Sequence, residues 1–174
     1  MTELNPRVAT GPSARVLIAL AGFALLVDAA TKSIAKALLA PREPVNLLPG
    51  VDLTLGFNRG ISFGLFPAES FAAAALMIAA QIAIATGLAI WMWRAADFVT
   101  RTGLALVVGG AGGNIADRIR FGEVTDFIDL HVGEWHWPAF NAADTFIVLG
   151  VGCLVTSHIL ESRSASPAEQ RGEA

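Results

Sequence analysis

The sequence predicts a membrane α-helical protein, four transmembrane helices with a small β-sheet at one membrane surface. Three observations lead there. Of 174 residues, 54% are hydrophobic and only 16% charged, whereas an ordinary soluble domain carries roughly 25% charged residues. Long uncharged runs recur along the chain, near the length of about 20 residues that a helical span needs. Between the first two of them the pattern switches to period two, the mark of a strand. The length fits one domain over residues 1–174.

Residues 1–15 are polar, broken by Pro6, Gly11 and Pro12. Val16 to Val27 carry no polar side chain, and the run reads on through Asp28 and Lys32 to Ala40 as the first span, residues 16–40. A basic flank before a short apolar run also describes a secretory signal peptide, although Val27-Asp28-Ala29 is a poor cleavage context. Asp28 and Lys32 stand four apart, on one helix face, which alone describes an ordinary ion pair.

After Pro41 and Pro44, Val51, Leu53, Leu55 and Phe57 alternate with Asp52, Thr54, Gly56 and Asn58, an amphipathic strand. With Asn58-Arg59-Gly60-Ile61-Ser62-Phe63 behind it, residues 44–68 read as a small sheet at the membrane surface, or simply as a hairpin connection.

Residues 70–93 hold no charge but Arg94 follows directly, and Trp91 and Trp93 form an interfacial belt. The third span, 102–119, is rich in glycine. Its GGAGG lacks the Lys-Ser/Thr of a phosphate loop, so the small residues read as close helix–helix contacts. Asn114 and Arg118 close this span one turn apart. The connection 119–141 carries Glu123, Asp126, Asp129, His131, Glu134 and His136, with no compact zinc spacing. The last span is 142–161, before a tail, 163–174, whose composition predicts disorder. Cys153 is the only cysteine, so neither an intrachain disulfide nor a cysteine cluster can form. The net charge of −3 and the lack of a basic cluster argue against nucleic acid as a partner.

Four spans bring Asp28, Lys32, Asn58, Asn114, Arg118, Asp126 and Asp144 to one membrane face. Carboxylates gathered in a partly dehydrated cleft cannot all ionise, and a pair sharing a proton can serve as acid and base. Each acid also has a plain reading. Asn141 would cap the fourth helix with Asp144 in its first turn, and Asp126 would be a solvated loop acid. Joint placement favours the pair.

The motifs Asp28-Ala29-Ala30-Thr31-Lys32, Asn58-Arg59-Gly60, GGAGGNIADR at 109–118, VTDFIDL at 124–130 and FNAADT at 140–145 occur in this order. Together they resemble lipoprotein signal peptidase, or signal peptidase II, over residues 14–160. The resemblance implies an inner-membrane aspartic protease of four helices with a periplasmic β-cradle and a periplasmic helix-loop. Such enzymes cleave prolipoproteins just before a diacylglyceryl-modified cysteine. Carried over by motif, the catalytic residues are Asp126 and Asp144, supported by Asp28, Lys32, Asn58, Gly60, Asn114, Arg118 and Asn141. No metal or cofactor is implied. The partners are the lipid-modified precursors and membrane lipid, the expected assembly is a monomer, and the termini are cytoplasmic with the site facing the periplasm. A proton-coupled transporter and an assembly factor without chemistry are the competing classes.

Overall fold

The computed structural model describes residues 11–40, 43–60 and 71–165. The expected end of the cradle, 61–68, and the tail beyond 165 lie outside them.

Helix α1, Ala14–Leu39, buries Leu17, Ala24, Asp28, Lys32, Ala35 and Leu39. Those positions recur at three, four and seven residues, so they form one stripe. Val16, Ile18, Phe23, Leu26, Ile34 and Leu38 point outward. A water-soluble helix would reverse this, and charge inside with hydrocarbon outside is the arrangement lipid demands. The helix stops at Ala40, whose extended backbone is what a following proline imposes.

Strands β1, Val45–Leu48, and β2, Val51–Asn58, form a hairpin that turns through Gly50, at φ 82°. Helix α2, Phe71–Arg94, is nearly all apolar and buries only Met92, so most of it faces outward. Helix α3, Phe98–Phe121, begins at Asp97, whose carboxylate accepts from the Thr100 N–H at 2.7 Å and from Ser157 Oγ at 3.0 Å. It ends at Gly122, left-handed at φ 75°, whose N–H closes on the Arg118 carbonyl. Strands β3, Val124–Val132, and β4, Trp135–His136, follow, and α4, Ala142–Ala165, completes the chain.

The sheet is antiparallel in the order β1-β2-β3-β4. The connection 119–141, a loop by sequence, therefore contains two strands, over Val124–Val132 and Trp135–His136. Val124 to Phe127 are all buried, so the strand shows no two-period alternation there to be read. Between α3 and α4 no further helix occurs.

Helices α1, α2 and α4 all pack on α3, while α2 and α4 pack little on each other. Three of the four helices, α1, α2 and α4, are long and apolar enough to cross a membrane. The fourth, α3, is as long as α2 but more polar, because its neighbours rather than lipid cover it. Its glycines set the spacing. A Cβ on Gly110 would lie 2.5 Å from the Ala143 carbonyl of α4, and one on Gly113 would collide with the Asp28 carboxylate of α1. Only a missing side chain lets these helices approach so closely.

Candidate active site

The first turn of α4 is built around Asn141. As the residue before the helix, it accepts the Asp144 N–H on its Oδ1 at 3.1 Å, and its own N–H donates to Asp144 Oδ2 at 3.1 Å. This is a reciprocal capping box. The next free amide, Ala143 N–H, donates to Asp28 Oδ1 of α1 at 2.9 Å. Helix starts leave such donors unpaired, and here carboxylates take them up.

Asn141 also leaves the helix sideways. Its Nδ2 donates to Asp126 Oδ1 of β3 at 2.6 Å and to Asn114 Oδ1 of α3 at 3.2 Å. Asn114 Nδ2 in turn donates to Asp144 Oδ1 at 2.9 Å. Two amides thus connect the two acids. Beneath them the Lys32 ammonium lies 2.7 Å from Asp28, 3.2 Å from Asp117 and 2.9 Å from Asn114 Oδ1. A buried ammonium needs this complete set of partners. Lys32 is 2% exposed, Asp28 1% and Asn141 0%.

A second group closes the side toward the sheet. Arg118, also buried, donates to the Gly60 carbonyl at 2.8 Å, and Asn58 Oδ1 accepts the Gly60 N–H at 3.0 Å. Asn58 ends β2 beside Val124, and Gly56 stands opposite Asp126. That pairing carries Asp126 from the sheet to the helix ends.

The structure thus brings together all nine residues singled out by sequence: Asp28, Lys32, Asn58, Gly60, Asn114, Arg118, Asp126, Asn141 and Asp144. Sequence reasoning passed over Asp117, which takes the third place around Lys32 and accepts the Thr125 N–H at 3.3 Å. Its signal was present, an acid between Asn114 and Arg118 at a helix end. His131 and His136 do not join the site. Their rings stack 5.1 Å apart on the sheet, His131 beside Asp52 and His136 beside Asp129, and among the described residues no three such groups converge as metal ligands would.

Burial raises the Asp126 carboxyl to about 6, with the Asp144 charge adding to the rise and hydrogen bonds from Asn141 and Asn58 opposing it. Such a group holds or releases a proton near neutrality. Asp126 and Asp144 both border a cavity of about 650 Å³, with Asn58, Asn114 and Arg118 near them and Ile84, Leu88, Ile147 and Val148 along its apolar walls.

Outward hydrocarbon faces, inward charge and a carboxylate pair opening on an apolar cavity define an integral membrane protein whose site suits acid–base chemistry. The sequence model of the family described as Signal peptidase (SPase) II matches residues 20–160. The chain is 41% identical over 149 residues to the lipoprotein signal peptidase of Methylobacterium sp. (strain 4-46), covering 84% of this chain and 90% of that one. With the lipoprotein signal peptidase of Coxiella burnetii (strain RSA 331 / Henzerling II) it shares 35% identity over 145 residues, 82% of this chain and 88% of the relative. A bacterial membrane enzyme solved by the in meso method at 2.3 Å resolution superposes with a TM-score of 0.76 at 24% identity, over 88% of this chain and 93% of that one. Another, at 1.9 Å, gives a TM-score of 0.72 at 26% identity, over 83% and 92%. The chain belongs to the signal peptidase II family. Membership makes it a membrane peptidase, a hydrolase of lipoprotein processing.

Proposed function

We propose that the protein is an aspartic endopeptidase of the bacterial inner membrane. It removes signal peptides from prolipoproteins by cutting before the diacylglyceryl-modified cysteine, with Asp126 and Asp144 as catalytic residues and water as nucleophile. The observation that carries this reading is the double attachment of Asn141, which donates to both acids where they border one cavity.

In the resting pair Asp126, the acid raised by burial, holds the proton, and Asp144 is the base. Asp144 takes a proton from the water as its oxygen attacks the scissile carbonyl carbon. Asp126 gives its proton to the carbonyl oxygen, and a neutral tetrahedral diol forms. On collapse the carbon–nitrogen bond breaks, Asp144 protonates the leaving amine, and Asp126 recovers a proton from a diol hydroxyl. Atoms and charges balance, and the pair returns to its starting state. Asn114, Asn141 and Asn58 hydrogen-bond the carboxyl groups and hold them in place, Arg118 adds positive charge near both, and Lys32 and Asp28 brace Asn114 and the start of α4.

The termini are assigned to the cytoplasm and the sheet to the periplasmic surface, and the working unit is a monomer. The precursor's acyl chains stay in lipid while its peptide enters the cavity. Cleavage of a purified diacylglyceryl-modified precursor peptide tests the reading. Wild-type protein cuts before the modified cysteine, and Asp126→Asn and Asp144→Asn each abolish cutting while still folding. Full turnover by either variant rejects the pair. A transporter or an assembly factor would cut nothing.

A further inference from the structure

Helix α2 has one polar side chain in its interior that nothing accounts for. Within its 24 residues, Gln81, Thr86 and Arg94 are the hydrogen-bonding side chains besides the tryptophans. Arg94 is the last residue, and Thr86 bonds back to the Ile82 carbonyl at 2.8 Å. Gln81 Oε1 is shut off from solvent and has no hydrogen-bond partner among the described residues. An amide oxygen left so in hydrocarbon is costly, since no water is there to satisfy it.

Gln81 lines the same cavity as Asp126 and Asp144, from α2 where they stand on β3 and α4. Its level follows from the packing. Leu88 of α2 packs with the cluster holding Leu104 and Ala105 of α3. The two helices run antiparallel, so two turns further brings Gln81 beside Ala111, and both line the cavity. A Cβ added to Gly110, the neighbour of Ala111, would meet Ala143 and Ile147 of α4, so this part of α3 packs on the start of that helix. Gln81 therefore faces the first turn of α4, where Asp144 lies, across the cavity.

We infer that Gln81 is a substrate-binding residue whose amide oxygen accepts a backbone N–H of the signal peptide just before the cleaved bond. The inference rests on the proposed peptidase function. A transmembrane peptide must leave the helical state to expose its scissile carbonyl. Its freed N–H groups then need acceptors inside an apolar wall, where each unpaired one is costly. An extended strand presents such groups along both edges. With one edge toward the two acids, the other meets α2, where Gln81 is the only uncommitted acceptor among the lining residues of that helix.

The test is a coupling measurement on the full-length enzyme with a diacylglyceryl-modified precursor peptide. Three variants of the peptide each replace one of the three backbone amides preceding the scissile bond with an ester, which removes the N–H and little else. In wild-type enzyme one of the three is expected to lose roughly three- to tenfold in kcat/KM beyond the other two, the worth of one hydrogen bond. Gln81→Met, similar in size and free of an amide, is expected to lose a similar factor on the all-amide peptide. It should lose nothing further on the sensitive ester. Equal losses at all three positions in wild-type enzyme, or losses that multiply in the variant, overturn the inference. The wild-type scan decides even if the variant folds poorly. Failure of wild-type enzyme to cut the all-amide peptide at all overturns the peptidase reading and this inference with it.

Discussion

Asn141 and Asp144 cap one another, each accepting the other's backbone N–H on a side-chain oxygen at 3.1 Å. The same asparagine donates its side-chain amide to Asp126 at 2.6 Å. The signal that starts α4 and the link between the two acids are therefore one residue.

Substitutions at position 141 separate those roles. Asn141→Ala removes both, and is expected to cost about 1 kcal/mol of stability as a lost cap and most of the turnover. Asn141→Ser restores a capping oxygen but no amide to reach Asp126. Thermal unfolding in detergent should recover while precursor cleavage stays low. Recovery of both would mean that the link to Asp126 is dispensable.

Turnover should depend on the proton of Asp126. With that carboxyl raised to about 6, kcat/KM is expected to fall as pH rises through that region, as the pair loses its shared proton. The hydrogen bond from Asn58 holds the value down, so Asn58→Leu should shift the descending limb to higher pH. A shift to lower pH would contradict the role given to Asn58.

Stability should run against activity at the same residue. A carboxyl near 6 in the folded chain and about 3.9 unfolded binds its proton more tightly when folded. Its contribution is most favourable below about pH 4, shrinks as pH climbs to about 6, and stays low beyond. Asp126→Asn, inactive but uncharged, is thus expected to be more stable than wild type by on the order of 1–3 kcal/mol at pH 7.5. The advantage should vanish near pH 4. Thermal unfolding at the two pH values measures it, and an equal gain at both would point to packing rather than charge.

The glycines of α3 predict a graded series. Gly113→Ala drives a methyl into the Asp28 carboxylate, and Gly110→Ala drives one against the Ala143 carbonyl. Both should destabilise by about 1–3 kcal/mol and depress cleavage. At Gly112 the added methyl would lie 3.3 Å from Leu25 Cδ1, the movable end of a side chain. Gly112→Ala should therefore be nearly silent in both unfolding and turnover assays.

Much of the site could be read from sequence because lipid makes charge conspicuous. Asp28 and Lys32 interrupt an apolar run, and Asp144 opens another, so each needed a reason to be there. The plain reading of Asp144 as a first-turn acid and the reading of it as a site acid describe one arrangement, since the cap holds the carboxylate in position. What sequence concealed depends on tertiary cover. Val124 to Phe127 are buried on both faces, so β3 showed no alternation and read as part of a loop. Gln81 was hidden for the opposite reason. One amide in 24 apolar residues passes as tolerable until the wall it belongs to is known.

Because α2 and α4 both lean on α3 and barely on each other, no seam between them closes the cavity they line, and under the proposed function its open side meets lipid. A compound aimed at Asp126 and Asp144 would then arrive by diffusing within the leaflet. Its potency should follow its partition coefficient into the membrane more closely than its dissolved dose, and assays at different detergent-to-protein ratios would give different apparent inhibition constants for the same molecule.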